Sequence, residues 1–186
     1  MARSAYWPLF CEENVWHLAG NISSEVDEAL VVFISNRARQ VAMWAQRASS
    51  DVAEPVVWDY HVMLLESVSR SWRVTDPDSS LATPIDAQQY LAASFQNISH
   101  ELSHLRPVFR IVPADRYRAL LRSDRSHMRS SDGNWLAPPP PDPPIGPDVS
   151  ASGNGGSNLM EFVDMERPFV GQVCDLAGLL KRIGPG

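Results

Sequence analysis

Cysteine is scarce in this sequence, and long apolar runs and an excess of positive charge are missing. Only Cys11 and Cys174 occur among 186 residues, too few for a disulfide framework or a cysteine-rich zinc site. The formal net charge of −6 argues against a nucleic acid or an anionic membrane as partner. No apolar run approaches the roughly 20 residues of a membrane span. Each cysteine is therefore a candidate for chemistry or for packing.

The composition is that of an ordinary globular protein, with 44% hydrophobic and 20% charged residues. The N-terminal residues lack the apolar core of a secretory signal, so we expect a cytoplasmic protein, with the nucleus as a second compartment. In a reducing compartment both cysteines stay thiols. We expect one catalytic domain over residues 1–186, a monomer, and no metal or cofactor.

Hydrophobic patterns predict a mixture of strands and helices, which places the chain in the α/β (α+β) class. Residues 56–66 are apolar on both faces and predict a central strand. Asp86 suits the N-cap of a helix. Residues 138–157 are rich in proline and glycine and predict an extended surface segment. The remaining predicted strands are 29–35, 72–75 and 109–112, and the predicted helices are 86–95, 115–121, 158–163 and 176–183.

Cys11 directly precedes a stretch whose apolar residues suit one face of a helix. A thiol at a helix N-terminus faces the positive end of the dipole, which favours the thiolate and lowers the pKa. Glu12 and Glu13 would raise that pKa if they faced the sulfur. The alternative is an inert buried cysteine. Cys174, in an apolar setting, favours packing.

His61 and a nearby aspartate form the second candidate group. Strand alternation places His61 on one face with Asp59 and Met63. Polar residues 67–71 predict a hairpin to the strand around Trp72. A turn centred between residues 68 and 69 places Asp76 opposite His61, and a turn centred between residues 69 and 70 places Asp78 there. Either carboxylate could accept the imidazole N–H, and the spacing does not choose between them.

A cysteine at a helix start and a His–Asp pair on adjacent strands are typical of papain-like and transglutaminase-like enzymes, which attack acyl carbons. Five stretches occur in order and with matching spacing: FCEENVWHL (10–18), VVFISN (31–36), PVVWDYHVMLLE (55–66), SDRSHM (123–128) and NWLAPPPPDPP (134–144). Together they resemble the protein N-terminal glutamine amidohydrolases.

The resemblance implies an α-β-α sandwich with a mostly antiparallel central sheet and a transglutaminase/papain-like core. It also implies deamidation of N-terminal Gln to Glu, with release of ammonia, in the N-degron pathway. The substrates would be proteins or peptides with a free N-terminal Gln. The family's nucleophile, base and aspartate fall on Cys11, His61 and Asp76. Two departures from the family pattern are Leu9, where a second cysteine is common, and Pro77, where the family has leucine.

The free α-ammonium of such a substrate needs an acidic or carbonyl partner. Candidates are Glu12, Glu13 and Asp124, although Glu13 could equally belong to a solvated first helical turn. The matching SDRSHM stretch suggests that Asp124, Ser126 and His127 border the pocket.

Three other functions remain open. His100-Glu101-Leu102-Ser103-His104 matches the HExxH signature of zinc peptidases, but Pro107 would end such a helix and no third ligand is evident. A non-catalytic binder of N-terminal Gln, or a general papain-like protease, could use the same cysteine pocket.

Overall fold

The computed structural model describes residues 6–96, 98–146 and 156–184. A six-stranded sheet forms its centre, and every neighbouring pair of strands is antiparallel. This confirms the predicted antiparallel sheet. In spatial order the strands are β6 (Ile85–Asp86), β5 (Ser71–Thr75), β4 (His61–Val68), β1 (Glu28–Ser35), β7 (Val108–Pro113) and β8 (Gln172–Cys174).

Helices cover both faces of the sheet. Val15, Tyr117 and Phe162 bring α1 (Cys11–Ala19), α3 (Ala114–Leu120) and α4 (Leu159–Val163) onto one face. Tyr90 and Leu179 bring α2 (Ala87–Ser94) and α5 (Leu176–Ile183) onto the other. The predicted α-β-α sandwich is confirmed, whereas a kinship of its core with papain stays a prediction. No described helix combines the length and apolarity needed to cross a membrane.

The strand predicted over residues 56–66 is in fact two strands. β3 (Val56–Trp58) pairs with β2 (Val41–Met43) in a small separate sheet, and β4 begins at His61. Asp59 lies at the corner between them, where its carbonyl accepts a hydrogen bond from Ser35 Oγ. The prediction that Asp59 and His61 share a strand face is therefore wrong. The central position of β4 is confirmed, because β5 and β1 pair with its two edges.

The hairpin between β4 and β5 turns at Ser69 and Arg70, both with positive φ (50° and 67°). Two such residues make a two-residue loop of the I′ kind, whose twist suits a hairpin. Val68 pairs with Ser71, and the ladder ends where Leu64 pairs with Thr75. The turn centre therefore lies between residues 69 and 70, and the register that predicted Asp76 opposite His61 is wrong.

Residues 98–106 do not form the helix that a zinc-peptidase motif requires. They form turns and one short 3-10 helix, Ser103–Leu105, and His100, Glu101 and His104 are exposed. The i, i+4 spacing therefore does not bring the two histidines onto one α-helical face, which removes the basis of that alternative.

The other predicted elements lie close to their expected places. Asp86 is the N-cap of α2, since its side chain accepts a hydrogen bond from the Gln89 N–H. In the proline-rich segment, Pro140 and Ile145 are buried against the body of the protein. The part of that segment at residues 147–155 lies outside the described residues.

Candidate active site

A cavity of about 200 Å³ opens where α1 and β4 begin. Two of the three predicted catalytic residues, Cys11 and His61, lie in its wall, and the third, Asp76, is fully buried and bonded to His61. The chain therefore brings together residues from α1, β4 and the segment after β5. The lining residues are Leu9, Cys11, Trp58, Asp59, Tyr60, His61, Asp78, His127, Met128 and Leu136.

The start of α1 places Cys11 at the cavity, as predicted. Asn14 fixes the preceding turn, because its side chain both donates to the Trp7 carbonyl and accepts from the Trp7 N–H. Phe10 is fully buried and anchors the helix start in the core. Leu9 adopts a positive φ of 67°, which turns the chain into the helix.

Burial raises the pKa of the Cys11 thiol well above its ordinary value, and the charges of Glu12 and Asp78 raise it further. Only 7% of the residue is exposed. The pKa shift is opposite to the lowering expected from the helix dipole, because an apolar setting and neighbouring carboxylates outweigh it. Cys11 therefore rests as a neutral thiol and needs a base to become a nucleophile.

His61 is held by Asp76 through its Nε2 atom, 3.0 Å from Oδ1. Trp58 stacks on the imidazole with ring centroids 5.8 Å apart. Burial by itself would lower the pKa of His61, but the charge and hydrogen bond of Asp76 raise it above the ordinary value. Since Nε2 is engaged, Nδ1 is the ring nitrogen left for a partner in the cavity.

The β4–β5 ladder ends where Thr75 pairs with Leu64, so Asp76 follows β5 and is not paired with β4. Its Oδ1 also accepts the Asp78 N–H, and its Oδ2 accepts the Tyr90 hydroxyl at 2.6 Å. Burial opposes ionisation, yet His61 and these donors lower the pKa of Asp76. Asp76 therefore orients His61 from a turn, and the ladder pairing that we considered for it does not form.

Asp78, the alternative partner of His61, lies in the cavity wall with 5% of its surface exposed. Its Oδ1 accepts the Tyr6 hydroxyl at 2.6 Å, while its Oδ2 is buried with no hydrogen-bond partner among the described residues. Burial raises the pKa of Asp78 above its ordinary value. The two aspartates after β5 thus occupy different environments.

Glu12 forms a second polar group behind Cys11. The carboxylate is fully buried, accepts the Tyr60 hydroxyl at 3.0 Å and lies 3.9 Å from the Cys11 sulfur. His127 Nε2 lies 3.3 Å from its other oxygen, close enough for attraction but not aligned for a hydrogen bond. Burial would lower the pKa of His127, but Glu12 raises it. Tyr60 and His127, which line the cavity, therefore both contact Glu12.

One group of side chains could in principle share a cation: ligand atoms of His61, Asp76 and Asp78 lie within 4.8 Å of one another. A cation there would have to replace the bond between His61 Nε2 and Asp76 Oδ1. His61 Nε2 and Asp76 Oδ1 already satisfy each other by this hydrogen bond.

Comparison with known proteins identifies the family. The sequence model for N-terminal glutamine amidase matches residues 6–183 of this chain. The protein N-terminal glutamine amidohydrolase of Danio rerio is 36% identical over 189 residues, which cover 96% of this chain and 89% of the relative. The Homo sapiens protein of that name is 37% identical over 171 residues, covering 89% of this chain and 80% of the relative. The Drosophila ananassae protein of that name is 37% identical over 151 residues, covering 78% of this chain and 73% of the relative.

The chain belongs to the N-terminal glutamine amidase family.

Two substrate-binding candidates, Asp124 and Ser126, lie in the segment next to the cavity wall of this amidase-family chain. Asp124 accepts the Ser126 N–H at 2.9 Å and so fixes the turn that carries His127. From this segment, His127 and Met128 line the cavity. Burial opposes ionisation of Asp124, but its hydrogen bonds with Ser126 lower its pKa.

Glu13 is not part of a solvated turn, contrary to one of the two possibilities considered for it. It is 1% exposed and forms two hydrogen bonds of 2.6 and 2.7 Å with Arg125. Arg125 also donates to the carbonyls of Pro140 and Asp142. This pairing occupies Glu13 and fastens the proline-rich segment beside the amidase cavity.

Sequence reasoning missed Arg125, Tyr60 and Asp59 as contributors to the site. Arg125 lies inside the matched SDRSHM stretch, and Tyr60 and Asp59 lie inside WDYHV, so the signal was the motif itself. Arg125 and Tyr60 contribute through hydrogen bonds to Glu13 and Glu12, which are distant in sequence. Asp59 contributes through its place at the corner between β3 and β4. Cys174 is half-buried and packs against the α5 side of the sheet.

Proposed function

We propose that this protein deamidates the side chain of an N-terminal Gln, converting it to Glu and releasing ammonia by cysteine-dependent covalent catalysis. The observation that carries the proposal is the shared cavity of Cys11 and His61, with Asp76 holding the imidazole. Family membership supports the substrate, because the relatives are named protein N-terminal glutamine amidohydrolase.

The first half-reaction forms a thioester. His61 takes the proton of the Cys11 thiol through Nδ1, and the sulfur attacks the carboxamide carbon of the substrate. The tetrahedral intermediate collapses as the imidazolium gives its proton to the departing nitrogen, which leaves as ammonia. Because the resting thiol is neutral, this base assistance is needed for attack.

Water completes the cycle. His61 removes a proton from a water molecule, which attacks the thioester carbon, and the proton passes to the leaving Cys11 sulfur. The product is an N-terminal residue with a γ-carboxylate, and both catalytic groups return to their starting states. The Cys11 N–H is the first of α1 and has no partner within the helix, so it is suited to hold the oxyanion in both steps.

Asp59 suits the α-ammonium of the substrate better than the carboxylates we predicted. It is exposed in the cavity lining, and within the described ranges the neighbouring Tyr60 N–H is the one donor to its Oδ1. Glu12 is fully buried and acts on the cavity through Tyr60 and His127, and Glu13 is paired with Arg125. Asp124 and Ser126 act by positioning His127.

Ammonia release from three peptides tests the proposal. The peptides begin with Gln, with Asn or with acetyl-Gln and are otherwise identical. We expect release only from free N-terminal Gln, because Asn is one methylene shorter and acetylation removes the ammonium. Cys11→Ala should abolish release, whereas Cys174→Ala, the matched control, should retain it.

The same assay separates the alternatives. Thiol alkylation should stop the reaction and a zinc chelator should not; the reverse would favour a metallopeptidase. Binding of the Gln peptide without ammonia release by the wild-type protein would disprove the enzymatic function. Cleavage of internal peptide bonds would identify a general protease instead.

A further inference from the structure

Asp78 is a buried carboxylate in which one oxygen accepts a hydrogen bond and the other has no hydrogen-bond donor among the described residues. Tyr6 donates to Oδ1 at 2.6 Å, which fixes the orientation of the group. Oδ2 is buried and has no partner within the described part of the chain, although the residue lines the cavity. A buried unpaired acceptor is costly, at about 1–3 kcal/mol. Its persistence points to a partner that arrives with a ligand.

The position of Asp78 limits what the partner can be. One of its carboxylate oxygens lies within 4.8 Å of a ring nitrogen of His61, and Asp78 lines the same cavity as Cys11 and His61, so a ligand bound in the cavity reaches Asp78 beside the two proposed catalytic residues. A carboxylate only accepts hydrogen bonds, so the ligand must present a donor. In the proposed reaction, the donor at this place is the carboxamide nitrogen of the substrate side chain.

We infer that Asp78 is a specificity-determining residue whose Oδ2 accepts an N–H of the substrate carboxamide and repels the γ-carboxylate of the product. This inference rests on the proposed function. It assigns to one side chain both the selection of an amide over an acid and the expulsion of the product. Asp76 orients the base, and Asp78 recognises the group that the base acts on.

Asp78→Asn is the informative substitution because the Tyr6 hydroxyl still requires an acceptor. The amide oxygen of Asn should take the Tyr6 bond, which leaves its NH₂ group in the place of Oδ2. This variant would present a donor to the substrate NH₂ group and to the product carboxylate. Amide recognition should therefore weaken, and product binding should strengthen.

The experiment compares two substrates that form the same thioester. One peptide begins with Gln, and the other begins with the γ-methyl ester of Glu, which has no N–H at that position. Rates are corrected for uncatalysed cyclisation of each peptide. For Asp78→Asn we expect kcat/KM for the Gln peptide to fall about 10- to 100-fold, the range for a hydrogen bond to a charged group. We expect kcat/KM for the ester to fall less than about threefold on the same basis.

Inhibition by the Glu-initiated product peptide gives a second measurement that does not depend on amide turnover. Its inhibition constant, measured against the ester, should decrease in Asp78→Asn. Asp115→Asn, an exposed aspartate in α3, is the matched control and should leave both the substrate ratio and the inhibition constant unchanged. Circular dichroism checks folding, and Asp78→Ser replaces Asp78→Asn if the latter fails to fold.

Equal losses on amide and ester, with unchanged product inhibition, would overturn the inference, because a residue that merely positions His61 affects both substrates. That result leaves the proposed function intact as long as the wild-type protein still deamidates the Gln peptide. A wild-type protein inactive on both substrates would disprove the proposed function itself.

Discussion

Asp76 and His61 form a buried pair in which each ionisation state depends on the other. Asp76 lowers its own pKa by accepting three hydrogen bonds, from His61, Tyr90 and the Asp78 N–H. Its negative charge in turn raises the pKa of His61. In the proposed reaction, the Cys11–His61 pair holds two protons at low pH and is inactive. It becomes active when one of these protons is lost.

This coupling predicts the effect of Asp76→Asn on the pH profile. At low pH, kcat/KM should rise with pH as the pair loses its first proton, at a pKa raised by Asp76. Removing the charge lowers the pKa of His61, so the acid limb should move to lower pH. The maximal rate should still fall by about 10²- to 10⁴-fold, because His61 loses its orientation.

The measurement is kcat/KM for the Gln peptide from pH 4 to 9, about the range over which histidine and its neighbours titrate. Tyr90→Phe is the control, since it removes one donor and keeps the Asp76 charge; its acid limb should move much less. An acid limb that stays in place in Asp76→Asn would show that Asp76 is not the ionised partner of His61.

The identity of this aspartate shows what sequence could predict at the residue scale. Family resemblance indicated Asp76, which is the residue that bonds His61. The hairpin argument left Asp76 and Asp78 open, and the register that would have placed Asp76 opposite His61 does not form. Tyr90, which fixes the second carboxylate oxygen, lies on α2, 14 residues further along the chain, so no local pattern could reveal it.

The helices were predicted closely because local chemistry marks their ends. Asp86 caps α2 with its side chain, and Gly184 follows α5. The break between β3 and β4 was missed because apolar residues continue across it. The hairpin was predicted but the centre of its turn was left open, since Ser69 and Arg70 carry positive φ without the glycine or asparagine that normally signals such a turn.

The buried pair of Glu13 and Arg125 joins α1 to the segment after α3. Its side chains are 1% and 6% exposed, and the two groups meet through parallel hydrogen bonds. Removing one partner leaves a buried charge without compensation, which typically costs about 3–5 kcal/mol. We therefore expect Glu13→Gln and Arg125→Met each to lower the free energy of unfolding by about that amount.

Urea denaturation of the two single variants and the double variant measures the coupling. The double variant should lose less than the sum of the singles, because no unpaired charge remains. Arg37→Gln breaks an exposed pair with Glu166, with side chains 86% and 59% exposed, and should change stability by less than about 1 kcal/mol. Additive losses at Glu13 and Arg125 would mean that the pair is not an energetic unit.

At the scale of the whole molecule, the site lies at the end of the sheet where β4 begins, and residues from both faces of the sheet contribute to it. Cys11 belongs to the core cluster beneath α1, while Met63 and Leu65, on the strand face of His61, belong to the cluster beneath α2. Sequence could predict the two layers of helices from the resemblance. It could not show that the proposed nucleophile and the proposed base approach from opposite layers.

A buried carboxylate in this location should reduce the stability of the fold. The pKa of Asp78 is raised by burial, so its contribution to stability is fully present below the pKa of the unfolded chain. That contribution is lost as pH rises through the higher pKa of the folded state. Ionisation of Asp78 therefore costs folding free energy.

Asp78→Asn should accordingly be more stable than the wild-type protein at pH 7, by about 0.5–2 kcal/mol, the usual range for a single stabilising substitution. The gain should shrink as pH falls and vanish where the Asp78 carboxyl group is protonated in both the folded and the unfolded protein. Urea denaturation of both proteins from pH 4 to 8, about the range around the carboxylate pKa, measures this. A loss of stability at pH 7 would mean that Asp78 supports the fold. A gain would mean that the molecule retains a destabilising carboxylate in the cavity wall, where we propose that the substrate amide binds.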